Sequence, residues 1–406
     1  MQVPPAPSGR RRACSAPALT VLLAMATGKL LPQELCDNII DELRDQPDTL
    51  KSCSLVSRSW TLRSQKHLFS VICFQSDADV FAWQNVFPDP CNSPAYYARI
   101  LTVKRVGWFP KNHLSPFCNV THLSLHVHPL DGCSIPLAQL HGFSSSLKSL
   151  HITYQALASA DLLNLACSFP LLDHLLLAGI PTMSVTKFIP SVPSPTFAGS
   201  LCLTVFPETR VLVKHLLTLT SGIHFRELTL PWVSDLPLTM DLILACSHSL
   251  ERLHLLSGVC GTYPFHDFFF WNRIPSDFFF SFGKGSSWID VSSVINLKSI
   301  VFWCPIGGCH VDWIAAAVDS IRSPNFKEVS LHMPGDLTTR ARIMTHVPEA
   351  VYIQWLVLDG VFLRCLTTRS LKLKVVRPPE VDQDTFVACV ECLLPELFGK
   401  KMLEFV

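Results

Sequence analysis

A short apolar phrase recurs along most of the chain and limits the folds that the chain can adopt. Each copy has one apolar residue, two spacers, a second apolar residue, one spacer and a third apolar residue. The copies are Val120, Leu123, Leu125; Leu147, Leu150, Ile152; Leu172, Leu175, Leu177; Phe225, Leu228, Leu230; Leu250, Leu253, Leu255; Leu297, Ile300, Phe302; and Phe326, Val329, Leu331. A phrase repeated at a near-constant interval indicates an array of similar units.

The spacing of the copies predicts how many units the array holds. Their first positions are separated by 27, 25, 53, 25, 47 and 29 residues. The two long intervals are close to twice the others, so we expect one degenerate unit in each. Leu201, Leu203 and Val205 are the candidate for the first gap. A period of about 20 to 29 residues with this strand pattern is typical of leucine-rich repeats.

The phrase also predicts the structure of a unit. Alternation at its end favours a short strand with one buried face. The stretches Ser159 to Cys167 and Met240 to Cys246 favour helices between strands. One strand and one helix cannot bury their apolar faces alone, so the units must stack. We therefore expect an α/β fold: an irregular solenoid of short parallel strands and helices, ended by a capping helix at Thr385 to Phe398.

Residues 30 to 69 have a different pattern, which predicts three short helices. Apolar residues at helical spacing predict a first helix that starts at Pro32. The second helix is expected to begin near Asp48, and Ser59 is a candidate cap for the third. Helices this short are marginal alone in water, so they must pack on each other or on a partner.

This segment resembles an F-box. The matching residues are Leu31-Pro32-Gln33-Glu34-Leu35, Ile39-Ile40, Leu43, Leu50, Cys53 to Trp60, and Leu68-Phe69. The remainder is similar to the leucine-rich halves of the large fungal families of F-box proteins, although a clean Asn- or Cys-bearing repeat consensus is missing. The resemblance implies a non-enzymatic substrate-recognition adaptor of a Skp–cullin–F-box type ubiquitin ligase, which recruits a client protein that the sequence does not name.

The resemblance also implies which residues meet the adaptor. It gives Leu31, Pro32, Leu35, Ile39, Val56 and Trp60 as adaptor-facing or helix-packing positions, with a Skp-type adaptor and a cullin scaffold as partners. The alternative is a free-standing leucine-rich interaction scaffold whose helices cap the array. The expected organisation is a loose tail at 1–28, the F-box-like domain at 29–70, a connector at 71–116 and the repeat region at 117–406.

Composition excludes several classes of function. Lys and Arg total 33 against 32 Asp and Glu, and this balance argues against a nucleic-acid binder. The longest apolar runs are too short to span a bilayer. The 16 cysteines are scattered in apolar surroundings, which favours a reducing compartment, cytoplasmic or nuclear. The basic and apolar stretch from Arg10 to Ala26 stays open between a secretory leader, a tail and a misplaced start at Met25.

Motifs for catalysis, cofactors and metals are weak, so we expect no enzyme activity and no cofactor. Gly283 to Ser287 lacks the context of a phosphate-binding loop, and Cys389-Val390-Glu391-Cys392 lacks a second ligand pair, although Cys304 and Cys309-His310 are candidates. His122, His126 and His128 share one strand face. The Phe-rich stretch 265–288 is either core or a binding element.

The spacers of the phrase are the candidate client surface. They would lie on the strand face that the apolar positions leave free. They are Ser124, His126, Thr229, His254, Val301 and Ser330. This set is neutral, so we expect a client recognised by shape and neutral hydrogen bonds rather than by phosphate.

Overall fold

The computed structural model describes residues 32–106, 114–127, 140, 142–143, 145–182, 195–204, 209–219, 222–231, 236–256, 289–303, 311–333, 349–368, 371–379 and 381–406. The described residues up to Val71 form one compact unit, and those from Ile72 onward form a second. The first unit is helical and the second is built on a parallel sheet.

The first unit contains three helices, α1 (Gln33–Glu42), α2 (Pro47–Val56) and α3 (Arg58–Leu68). Pro32 lies at the N-cap of α1, and Pro47 opens α2 at a position where its missing N–H costs no hydrogen bond. Ser57 caps α3, because its hydroxyl accepts a hydrogen bond from the backbone of Trp60 at 3.4 Å. Ser59, the expected cap, already lies inside that helix, so this prediction was wrong.

A small apolar core holds the three helices together. Its buried members are Cys36, Ile40, Leu50, Cys53 and Trp60, with Leu43 and Leu68 packed against them. Residues 36, 40 and 43 are four and three positions apart, so they form one stripe of α1. Both α1 and α2 pack on α3.

The second unit is an α/β fold whose strands follow one another across the sheet in chain order. The strands are β1 (Val71–Phe74), β2 (Ile100–Val106), β3 (His122–Val127), β4 (Ser149–Ala158), β5 (His174–Thr182), β6 (Ser200–Leu203), β7 (Glu227–Pro231), β8 (Arg252–Leu256), β9 (Ser299–Trp303), β10 (Glu328–His332), β11 (Lys372–Val376) and β12 (Leu403–Phe405). Every neighbouring pair from β2 to β12 is parallel. This sequential order is that of a solenoid-like arrangement, in which each unit contacts its neighbours in the chain.

Helices alternate with many of these strands. They are α4 (Asp77–Val86), α5 (Ser159–Cys167), α6 (Thr209–Leu217), α7 (Leu236–Ala245), α8 (Asp312–Ser320), α9 (Glu349–Thr368), α10 (Gln383–Leu393) and α11 (Pro395–Gly399), with 3₁₀ turns at Pro90–Asn92 and Pro94–Tyr97. The helix expected at Ser159 to Cys167 is confirmed, and the one expected at Met240 to Cys246 is the C-terminal half of α7.

The strand register explains the recurring phrase. Its second positions pair with one another across the sheet and are buried: Leu123, Leu150, Leu175, Leu201, Leu228, Leu253, Ile300 and Val329. The third positions, two residues later, are buried on the same face. Leu201 and Leu203 lie in β6, so the degenerate unit expected in the first gap is confirmed, while Val205 lies outside the described residues.

Three expectations about the array were wrong. The presumed connector contributes β1 and β2 to the same sheet, so the sheet begins near Val71 rather than 117. In the second gap, β8 is hydrogen-bonded directly to β9, which leaves no place for another strand of this sheet between them. The expected capping helix corresponds to α10 and α11, but these connect β11 to β12, which is the last strand in the sheet order.

Candidate binding surfaces

The three-helix unit exposes large apolar side chains beside its buried core. Leu55 is 87% exposed, Leu62 61%, Val56 54% and Leu35 49%. We call these four residues the exposed apolar set. Leu55 and Val56 close α2, outside the turn that carries the buried Leu50 and Cys53. A unit with so small a core gains more from covering such side chains than a large domain would.

The six sequence-predicted adaptor residues differ in their exposure to solvent. Pro32, Leu35 and Val56 are exposed, and Ile39 is half-buried one turn beyond Leu35 on α1. Trp60 lies in the core instead, because α3 turns it towards Cys36 and Ile40. It can support an interface only through packing. Leu31 lies outside the described residues.

Leu55 and Leu62 were not among the predicted surface residues. The sequence does carry a signal for Leu55, since it lies two positions after Cys53 and so falls off the stripe of buried residues. Leu62 likewise lies two positions after the buried Trp60 and two before the buried Ser64.

An ion cluster fixes α1 against α3. Arg63 contacts both carboxylate oxygens of Asp41, with its Nε donating to Oδ1 at 2.7 Å, and His67 Nε2 lies 2.7 Å from the same oxygen. The hydrogen bonds from Arg63, and then from His67, hold the pKa of the Asp41 carboxyl well below its usual range. The cluster ties two helices through charge-assisted bonds.

The second candidate surface is the sheet face opposite the buried leucines. The register aligns one row of side chains across it: Thr102, Ser124, His151, Leu176, Cys202, Thr229, His254, Val301, Ser330, Lys374 and Glu404. Five of the six predicted client-facing residues belong to this row, but Val301 and Ser330 are buried in it, so the prediction that these two face a client was wrong. The sixth, His126, lies two residues beyond Ser124 on the same face.

Imidazoles and hydroxyls form a network on β3 and β4. The Ser124 hydroxyl lies 3.1 Å from His151 Nδ1 and 3.3 Å from His126 Nε2, and Thr153 Oγ1 lies 3.2 Å from His151 Nε2. The rings of His126 and His151 meet edge to face, with centroids 5.4 Å apart. Burial, and then the neighbouring His126, lower the pKa of His151 to about 4, so this ring is neutral at pH 7. His128 lies outside the described residues.

A second cluster lies on β7, β8, β9 and β10. The ring of Trp303 stacks on that of His332, with centroids 4.2 Å apart and planes inclined by 30°. His254 Nε2 lies 3.6 Å from Glu227 Oε1, and Arg252 pairs with the same carboxylate at 2.7 Å. Burial, and then His254, lower the pKa of His332 to about 4.

The described residues do not form a metal centre. Within those ranges, no three His, Cys, Asp or Glu side chains converge as a metal ion would require. Cys389 of the C-x-x-C pair is buried in α10, and burial raises the pKa of its thiol to about 12, opposite to the shift of reactive and metal-binding thiols. Cys304, Cys309, His310, Gly283 to Ser287 and the Phe-rich stretch 265–288 lie outside the described residues.

Among the helices of the described ranges, none has both the length and the apolar character to cross a bilayer. No family model matches the chain, and no curated protein was found to be similar to it.

Proposed function

We propose that this protein is the substrate receptor of a Skp–cullin–F-box type ubiquitin ligase. The three-helix unit docks on a Skp-type adaptor, and the sheet unit holds the client protein. The observation that carries the proposal is the exposed apolar set, because Leu55, Leu62, Val56 and Leu35 are exposed beside a core that has five buried apolar members among the described residues of this unit.

The energetics favour a partner on these side chains. Fully burying one Leu or Val side chain stabilises by ~1.5–3 kcal/mol. Covering Leu55 and Leu62 would therefore offset much of the ordering cost of association, with Val56 and Leu35 adding to the same term. A partner that binds only the folded helices also stabilises them.

The proposal assigns no catalytic residue to this chain. Its role is positional: the helices connect it to the adaptor and cullin, and the sheet unit brings the client to the ubiquitin-carrying enzyme. The scattered buried thiols, such as Cys167 and Cys246, support a reducing compartment, so we place the protein in the cytoplasm or the nucleus.

The test is capture of a purified Skp-type adaptor by the full chain. The double variant Leu55→Asp, Leu62→Asp places charges on exposed positions of α2 and α3, so the unit should fold and capture should fall at least about tenfold. Arg44→Asp, at an exposed position between α1 and α2, is the control that should keep capture. Hydrogen exchange at residues 33–68 checks folding of all three proteins.

Absence of adaptor capture by the folded wild-type chain would reject the proposal. It would favour the alternative, a free-standing repeat scaffold that assembles with clients but not with a ubiquitin ligase.

A further inference from the structure

On the sheet face opposite the buried leucines, a row of three large side chains lies at the carboxyl ends of β9, β10 and β11. Three side chains that are neighbours in register on β9, β10 and β11 are Trp303, His332 and Val376. All three are half-buried. We call them the anchor row. Neighbouring strands lie about 4.8 Å apart, so the anchor row spans about 10 Å of the face.

Two cations of this face are paired within the protein. Arg252 pairs with Glu227 at 2.7 Å, and Lys374 pairs with Glu328 at 2.7 Å. His332 itself is neutral at pH 7, since burial keeps its pKa near 4. These described groups therefore offer neither a cluster of arginines nor an excess of carboxylates to a partner.

The stacked pair gives the row its geometry. Trp303 and His332 present aromatic surface at the carboxyl ends of β9 and β10, and rigid aromatic surface is the commonest kind of energetic centre in protein interfaces. Val376 continues this surface by one strand. The half-buried ring of His254 lies one row nearer the amino ends of the strands, and Ser330 of the same row is buried, with its hydroxyl donating to Glu328 at 3.3 Å.

We infer that the anchor row docks an uncharged, unphosphorylated segment of the client, with one aromatic or aliphatic side chain of that segment lying against Trp303 and His332. The inference rests on the proposed function only in calling the partner a client. Charge complementarity supports an uncharged segment: a phosphorylated one is held by clusters of arginine or lysine, whereas Lys374, the cation in the row next to the anchor row, is paired with Glu328 at 2.7 Å.

The experiment uses the purified full chain and three displayed libraries of 15-residue peptides: a neutral pool, an acidic pool and a phosphoserine pool. We expect the neutral pool to yield binders enriched in one aromatic or aliphatic position. Their affinity should change little between about 50 and 500 mM salt, because screening acts on charged contacts.

Variants locate the binding to the anchor row. Trp303→Ala should weaken the selected peptides by at least about tenfold, as the loss of an interface centre does, while Trp303→Phe should retain most of the affinity. Leu176→Ala is the matched control, since Leu176 is a half-buried apolar residue on the same face but four strands away. Val376→Lys is the second variant, because it charges the row without removing the stacked pair; it should also weaken binding.

The inference is overturned if the phosphoserine or acidic pool yields the tighter peptides, if the neutral pool yields none, or if neutral peptides bind Trp303→Ala and Val376→Lys as well as wild type. Adaptor capture is measured on the same preparations. Loss of adaptor capture with intact peptide binding would reject the ligase assignment alone, and the reverse result would reject the anchor row alone.

Discussion

The hydroxyl oxygen of Ser323 lies 2.8 Å from the carbonyl oxygen of Leu297, the first phrase position of the preceding unit. It lies equally close to the carbonyl oxygen of Ile295. Two other serines make the same bond between units: Ser146 to Val120 at 2.8 Å and Ser249 to Phe225 at 3.1 Å. These serines bond carbonyl groups that the strand ladder does not reach, which links one unit to the next through side chains.

Replacing Ser323 tests the contribution of this bond. Ser323→Ala leaves buried carbonyl groups without their donor, which should lower the free energy of unfolding by ~1–3 kcal/mol. Ser168→Ala is the control, because the Ser168 hydroxyl donates to Leu165 within its own unit, and it should cost less. Urea unfolding followed by circular dichroism measures both. Equal losses in the two variants would contradict a link between units.

Gly199 marks a close approach between β5 and β6. A Cβ atom at this position would lie 2.3 Å from the carbonyl oxygen of Asp173, which is backbone and cannot rotate away. Gly199→Ala should therefore push the strands apart and destabilise by ~1–3 kcal/mol. Gly142→Ala meets no atom within 4 Å and should be near neutral. Thermal unfolding of the two variants measures the difference in stability. A Gly199→Ala protein as stable as wild type would show that the strands can separate without cost.

The sequence predicted those parts of the fold that repeat. The apolar phrase identified the buried strand residues because three large side chains mark each unit. It missed β2, β11 and β12, because Ala98, Ser370 and Lys400 stand where the phrase requires a large apolar residue. It also placed a unit in the second gap, since a long connection between paired strands and a missing strand give the same spacing.

The sequence predicted less of the binding surfaces. The pairing of Ser124 with His151 depends on strand register over 27 residues, which no local pattern contains. The stacking of Trp303 on His332 needs the same information. The sequence leaves Trp60 open between an adaptor-facing and a helix-packing position, because large aromatic residues serve both cores and interfaces, and only the packing of α1 against α3 distinguishes the two.

Trp60 and Leu62 should behave oppositely, although they are neighbours on α3. Trp60→Ala removes a core side chain and should cost ~3–5 kcal/mol, which would leave the helical unit largely unfolded. Leu62→Ala, at an exposed position, should change stability by no more than ~0.5 kcal/mol. Hydrogen exchange of the amides in residues 33–68 of the full chain reports both. Fast exchange in Leu62→Ala would place that residue in the core.

Asp41 should make the helical unit sensitive to acid. Because its folded pKa lies below the unfolded value of 3.8, the cluster with Arg63 and His67 contributes stability that is fully present above about pH 4. That contribution is lost as the pH falls from there through the depressed folded pKa. Asp41→Asn should remove it, so amide exchange in residues 33–68 should be faster than wild type at pH 7 and differ less from it below about pH 3. Asp45→Asn, at an exposed turn, should follow wild type at both values.

Leu175 and Leu176 offer the sharpest test of the sheet, since they are adjacent leucines on opposite faces of β5. Leu175 is 1% exposed and pairs in register with Leu150 and Leu201, whereas Leu176 is half-buried on the other face. Leu175→Asp buries a carboxylate among leucines and should cost several kcal/mol, of the order that a buried unpaired polar group carries. Leu176→Asp keeps its carboxylate in contact with water and should cost much less. Leu228→Asp and Leu253→Asp, at equivalent positions of β7 and β8, should repeat the loss seen for Leu175→Asp. Soluble yield and thermal unfolding of the four proteins measure the difference. Similar tolerance at Leu175 and Leu176 would mean that β5 does not turn Leu175 towards the core and Leu176 away from it. The strand register described for the whole array would then be wrong.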